Sequence, residues 1–146
     1  MLEIKFYPPD HYPDCGFTYV VIGARYRKQW VFIRHRQRRS YEMPAGHIRE
    51  NEDTAMAAGR ELEEETGAIK YTIECIATYT ILEDNSLRAG RLYYADIGER
   101  DDKWDDSEIE GVIFSDHLPE ISSFPYVQTV LFRFVENYHA GESKEA

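Results

Sequence analysis

GHIRENEDTAMAAGRELEEETGA, residues 46–68, sets three carboxylates along one side of a short helix. At about 100° per residue, Glu61, Glu64 and Glu65 are i, i+3 and i+4 neighbours within roughly a third of the helix circumference. Each like-charge pair at that spacing costs about 0.2–0.5 kcal/mol. The trio also stands just before Gly67, where the helix dipole is negative. The run opposes helix formation, and nothing local in the sequence offsets it. A hard divalent cation would, because Mg²⁺ takes oxygen ligands and bridges protein carboxylates to substrate phosphates. Mn²⁺ is the alternative ion.

The helix itself is predicted over residues 53–66, with Asp53 as N-cap and Gly67 as a left-handed stop. Ala55, Ala58, Gly59 and Leu62 form its apolar arc, and their small size predicts close packing on a sheet. Arg60 and Glu64 form an i, i+4 pair. The spacing reads Gly46, five residues, Glu52, seven residues, Arg60-Glu61-Leu62, one residue, Glu64-Glu65, one residue, Gly67. This resembles the signature of the Nudix hydrolase family. The final place, where the family usually carries a larger aliphatic residue, is Ala68, with Ile69 beside it.

The resemblance implies an α/β fold, an α/β/α sandwich whose mixed β-sheet is flanked by helices. It implies Mg²⁺ held by Glu61, Glu64 and Glu65, with the Ala45 backbone carbonyl as a further ligand. Arg60 would orient the Glu64 carboxylate, and Gly46, Glu52 and Gly67 would shape the loop–helix junction. Glu61 or Glu64 would be the general base. The family also draws an acid from a late loop, and Glu108 or Glu110 stands in the matching part of this chain. That region, residues 98–110, holds seven acids, Glu99, Asp101, Asp102, Asp105, Asp106, Glu108 and Glu110, and reads as a soft loop.

The length of 146 residues suits one domain, expected over residues 1–139, with a frayed tail over 140–146. Cys15 and Cys75 make no disulfide framework and no zinc spacing. The start has no basic-then-apolar leader and no run is long enough to span a membrane, so the expected location is cytoplasmic. Net charge of −10, from 27 acids and 17 bases, argues against duplex nucleic acid as a partner. A small anionic ligand needs local compensation, and the dense basic cluster is Arg34-His35-Arg36-Gln37-Arg38-Arg39. Arg34 and Arg36 share a face of a continuing strand and are the candidate phosphate ligands. Tyr41, Tyr26, Phe32 and Tyr126 are candidates to stack a base.

Residues 17–22 and 30–33 read as a hairpin around a polar turn at 25–29, and Tyr41-Glu42-Met43 as a short extended piece ending at Pro44. Residues 71–81 and 90–97 read as strands joined through Glu83-Asp84-Asn85-Ser86, and 112–114 as a last strand. Val127, Val130, Leu131, Phe134 and Val135 recur at helical spacing within 126–138. For function, the family implies a pyrophosphohydrolase acting on a nucleoside diphosphate linked to another moiety, and commonly a homodimer. Chain size favours a nucleoside triphosphate or an oxidised nucleotide such as 8-oxo-dGTP. Glu42-Met43-Pro44-Ala45-Gly46 resembles instead the lead-in of ADP-ribose and nucleotide-sugar pyrophosphatases. A non-catalytic nucleotide-sensing module is the reading from another class.

Overall fold

The computed structural model describes residues 1–120 and 124–145, with side chains through 142. Eight strands form one mixed sheet: β1 (Leu2–Tyr7), β2 (Tyr19–Tyr26), β3 (Gln29–His35), β4 (Tyr41–Glu42), β5 (Ala45–His47), β6 (Ala68–Glu83), β7 (Ser86–Arg100) and β8 (Ile109–Ser115). Their order is β1-β6-β7-β2-β3-β4, with β5 on β2 and β8 on β3. β2 runs parallel to β7, and the other pairings are antiparallel.

Both hairpins turn through two residues with positive φ, Arg27 and Lys28 (50° and 70°) and Asp84 and Asn85 (48° and 70°). Such turns match the right-handed twist of the flanking strands. The strands consequently run further than their apolar cores suggest: β2 continues through Tyr26, opposite Gln29, where a longer turn was expected. β7 likewise extends to Arg100, into the stretch read as soft loop. The sequence reading does not anticipate β1 or β5. In β1 the alternation of Leu2, Ile4 and Phe6 was a legible strand signal.

β2 forks the sheet. Residues 24–26 pair with β3, whereas 19–21 pair with β5. Between them Ile22 donates its N–H to the Pro44 carbonyl at 2.8 Å, so the proline that cannot donate accepts instead. The fork sets Ala45 and Gly46 against α1 (Thr54–Thr66). A side chain at Gly46 would overlap the Glu61 carboxyl.

The two sheet faces separate by alternation. Val20, Ile22 and Ala24 join Ala57, Ala58 and Leu62 of α1 in one buried cluster. Val21 joins Leu131, Phe132 and Val135 of α2 (Pro125–Glu145) in the other. Burying Leu62 completely contributes about 1.5–3 kcal/mol. α2 continues through residues 140–145, the stretch expected to fray. One hydrogen bond there, from the Tyr138 hydroxyl to Glu142 (2.9 Å), links successive turns, and the same hydroxyl also reaches Glu74 of β6.

α1 is capped as its sequence predicts. Asp53 accepts from the Met56 N–H at 2.8 Å, and Gly67, at φ 78°, donates to the Glu63 carbonyl at 3.0 Å. Its last turn carries no basic residue, and Arg100 of β7 supplies the missing cation by donating to the Thr66 carbonyl at 3.0 Å. A Cβ on Gly67 would overlap the Asp101 carbonyl. Gly67→Ala should therefore lose more than the roughly 1–2 kcal/mol of left-handed strain alone, read as a lower midpoint in urea unfolding.

Candidate active site

Arg60 organises the carboxylates. Its Nε donates to Glu52 Oε2 (2.6 Å) and its Nη2 to Glu52 Oε1 (2.9 Å) and the His47 carbonyl (3.1 Å). Its Nη1 donates to Glu61 Oε1 (2.7 Å) and Glu64 Oε2 (3.3 Å). The acidic run is thus offset locally after all, because the guanidinium fork folds back along its own helix. Glu65 points elsewhere and accepts the Ala45 N–H at 2.9 Å. Arg49, within 3.8 Å of Glu64, adds a second cation at the rim.

Glu61 and Glu65 are buried and pushed upward in pKa by that burial, Glu65 well above the carboxylate range. Hydrogen bonds from Arg60 and from the Ala45 N–H oppose the shift in each case, and Glu108 adds repulsion to both. Glu52 behaves oppositely, since its bonds from Arg60, with that from the Arg49 N–H (2.8 Å), hold it at about 2. A depressed carboxylate stabilises the fold above its unfolded value of 4.5, and that contribution is lost as pH falls toward 2. Melting temperature should therefore drop across this window, and Glu52→Gln should remove that part of the slope.

Glu61, Glu64, Glu65, Arg60, Ala45, Gly46 and Glu108 line one cavity of about 720 Å³. The late loop reaches it because Asp105 N–H donates to the Glu64 carbonyl (2.7 Å) and Arg36 N–H to the Glu108 carbonyl (2.7 Å). Of the two late acids, Glu108 faces the cavity, while Glu110 pairs with Arg34 at 3.5 Å.

The expected substrate ligands fall elsewhere. Arg34, Arg36 and Tyr41 are not among the cavity-lining residues. Arg34 and Tyr41 are cross-strand partners, joined by a 3.2 Å hydrogen bond from Arg34 Nη1 to the Tyr41 hydroxyl. Strand alternation gives them the face opposite to Glu42, which does line the cavity. Arg36 donates to the Asp106 carbonyl at 3.1 Å. Phe32 is fully buried, Tyr26 packs on Phe114, and Tyr126 lies outside the lining. Arg38, Arg49 and Arg88 are the arginines that join Arg60 around the cavity. Arg38 belongs to the basic cluster and Arg49 to the acidic motif, whereas no local signal marks Arg88.

A NUDIX domain family model matches residues 16–125. This chain belongs to the NUDIX hydrolase family. A Bacillus subtilis (strain 168) relative named "Putative 8-oxo-dGTP diphosphatase YtkD" is 30% identical over 102 residues, 70% of this chain and 64% of that protein. The chain therefore spans somewhat less than two thirds of that relative's length. Among solved structures, the Bacillus subtilis pyrophosphohydrolase BsRppH superposes with a TM-score of 0.71 at 22% identity, covering 90% of this chain and 89% of that one. A C. elegans Ap4A hydrolase gives 0.66 at 19% identity, over 84% and 97%. Both likenesses carry the NUDIX fold, a mixed sheet flanked by helices.

NUDIX hydrolases generally use divalent metals such as Mg²⁺. Among the described residues, no three acidic, histidine or cysteine side chains already stand close enough to hold an ion. The Arg60 fork lies against Glu61 and Glu64, and Glu65 is turned to the Ala45 N–H. The donor chemistry nevertheless suits a hard cation: carboxylate oxygens on one cavity wall, two of them in buried groups that burial disfavours as free anions. No described helix is long and apolar enough to cross a membrane.

Proposed function

We propose that this NUDIX protein is a Mg²⁺-dependent nucleoside triphosphate pyrophosphohydrolase, with oxidised nucleotides such as 8-oxo-dGTP among its substrates. The observation that carries this reading is the meeting of Glu61, Glu64, Glu65 and Glu108 on one cavity of nucleotide size. Glu61, Glu64 and Glu65, with the Ala45 carbonyl, would hold the metal. When bound, Mg²⁺ supplies charge neutralisation on a diphosphate linkage and a lowered pKa for water. Glu64 is more open than Glu61, 35% exposed against 11%, which supports it as the carboxylate that would accept a proton from water entering the cavity. Arg60 keeps the Glu61 and Glu64 carboxylates oriented, with Glu52 fixing the guanidinium from behind. Arg49 at the rim replaces Arg34 and Arg36 as the arginine offered to phosphate.

The relative from Bacillus subtilis supports the triphosphate branch, and the oxidised guanine nucleotide within it, through its name. The test is release of pyrophosphate or phosphate from dGTP, 8-oxo-dGTP and dATP, and of AMP from ADP-ribose, with Mg²⁺, for wild type and Glu64→Gln. Triphosphate turnover that EDTA abolishes is the expected result. Turnover of ADP-ribose alone would move the assignment to the other branch, and tight nucleotide binding without turnover would make the protein a sensor.

A further inference from the structure

Register carries one row of residues across the α2 face of the sheet. Phe6, Tyr79, Gly90, Tyr19 and His47 are successive cross-strand partners on β1, β6, β7, β2 and β5. Phe6 stacks on Phe134 of α2 at 4.5 Å, which marks the face. Gly90 leaves the centre of the row empty, and the Tyr79 hydroxyl lies over it, where any Cβ would overlap it. Tyr79 is 1% exposed and lines the cavity, yet its hydroxyl has no hydrogen-bond partner among the described residues. It is not among the fully enclosed unpaired atoms, so it opens on the cavity and is available to donate to a ligand acceptor. Burial also raises its pKa, which keeps it a donor.

Arg88 stands beside Tyr79, one same-face row along, opposite Ile81. It lines the same cavity, its Nε is buried without a partner among the described residues, and its Nη2 reaches Glu83 Oε1 at 3.4 Å. Leu2, Val21 and Ile81 complete apolar walls. Arg38 differs, because it is held by Glu42 through two hydrogen bonds (2.9 and 3.1 Å).

This arm offers two unpaired donors, one carboxylate and apolar walls. Phosphate fits poorly, because Glu83 adjoins the guanidinium and seven acids line the cavity against four arginines. A flat heterocycle with carbonyl and ring-nitrogen acceptors beside N–H donors fits well. Guanidinium donates to the O6 acceptor, which guanine and 8-oxoguanine share, and a carboxylate accepts from their N1–H and N2–H. Adenine would turn its 6-amino donor on the guanidinium. We propose that Tyr79, Arg88 and Glu83 form a subsite that reads a 6-oxopurine base, an inference that rests on the nucleotide reading above.

Calorimetric titration of dGMP and of dAMP, without metal, tests it on wild type, Tyr79→Phe and Arg88→Gln, each checked by thermal melt. Wild type should prefer dGMP by about tenfold or more, and each variant should lose most of that preference while dAMP affinity stays unchanged. The proposal is overturned by the absence of a dGMP preference in wild type, by its retention in both variants, or by equal weakening of both ligands, which would mark a phosphate contact. dGMP has no phosphoanhydride, so these outcomes do not depend on hydrolysis. A dGMP preference without triphosphate turnover would sink the proposed reaction and leave the subsite standing.

Discussion

Glu64→Gln should lower kcat by about 10²- to 10⁴-fold while the fold hardly changes. The amide keeps the shape of the side chain and removes both its charge and its capacity to take a proton. Structurally little is at stake, because Glu64 is 35% exposed and its ion pairs to Arg60 and Arg49 are 3.3 and 3.8 Å long. Exposed i, i+4 pairs contribute about 0.3–0.5 kcal/mol, which for a domain of this size moves the melting temperature by roughly 1–2 °C. If the carboxylate acts only as the bond breaks, kcat and kcat/KM should fall together. Steady-state kinetics with Mg²⁺, beside a thermal melt, check both halves. Equal turnover by variant and wild type would remove Glu64 from the chemistry.

Arg60→Ala should give the largest loss of stability among single changes at the site. It strips the Glu52 and Glu61 carboxylates, 12% and 11% exposed, of the same guanidinium. Removing one partner from a fully buried pair costs about 3–5 kcal/mol, and solvent reaching the cavity side reduces this to about 2 kcal/mol. The melting temperature should fall by roughly 4–8 °C. Arg60→Lys should recover little, since a point charge cannot serve Glu52 and Glu61 through separate nitrogens. Mg²⁺ should raise the melting temperature of Arg60→Ala less than that of wild type, because the ligand carboxylates lose the guanidinium that orients them. Equal shifts in both proteins would place the ion elsewhere.

The parts of the site visible in the primary sequence are those written in short-range spacing. Asp53, Gly67 and the trio of Glu61, Glu64 and Glu65 lie where helix periodicity and capping place them, within one element. The role of Arg60 was half visible. Its i, i+4 partner Glu64 follows from the helix, whereas its closest contacts are Glu52, ahead of the helix, and the adjacent Glu61. Of the arginines in the basic cluster, Arg38 lines the cavity and Arg34, Arg36 and Arg39 do not, for a definite reason. These arginines sit where β3 ends in an irregularity between Arg34 and His35, and alternation then decides which of them face the cavity.

Local chemistry therefore specifies the acidic helix, its caps and the Asp84-Asn85 turn, because each depends on backbone preferences and side-chain contacts a few residues apart. Long-range pairing selects the rest. Glu108 joins the carboxylates through a loop tied to the end of α1, and Tyr79 and Arg88 meet the cavity because four strand pairings bring distant strands into adjoining rows. Register of that kind is set by which faces bury against α1 and α2, and no single segment of the chain contains it.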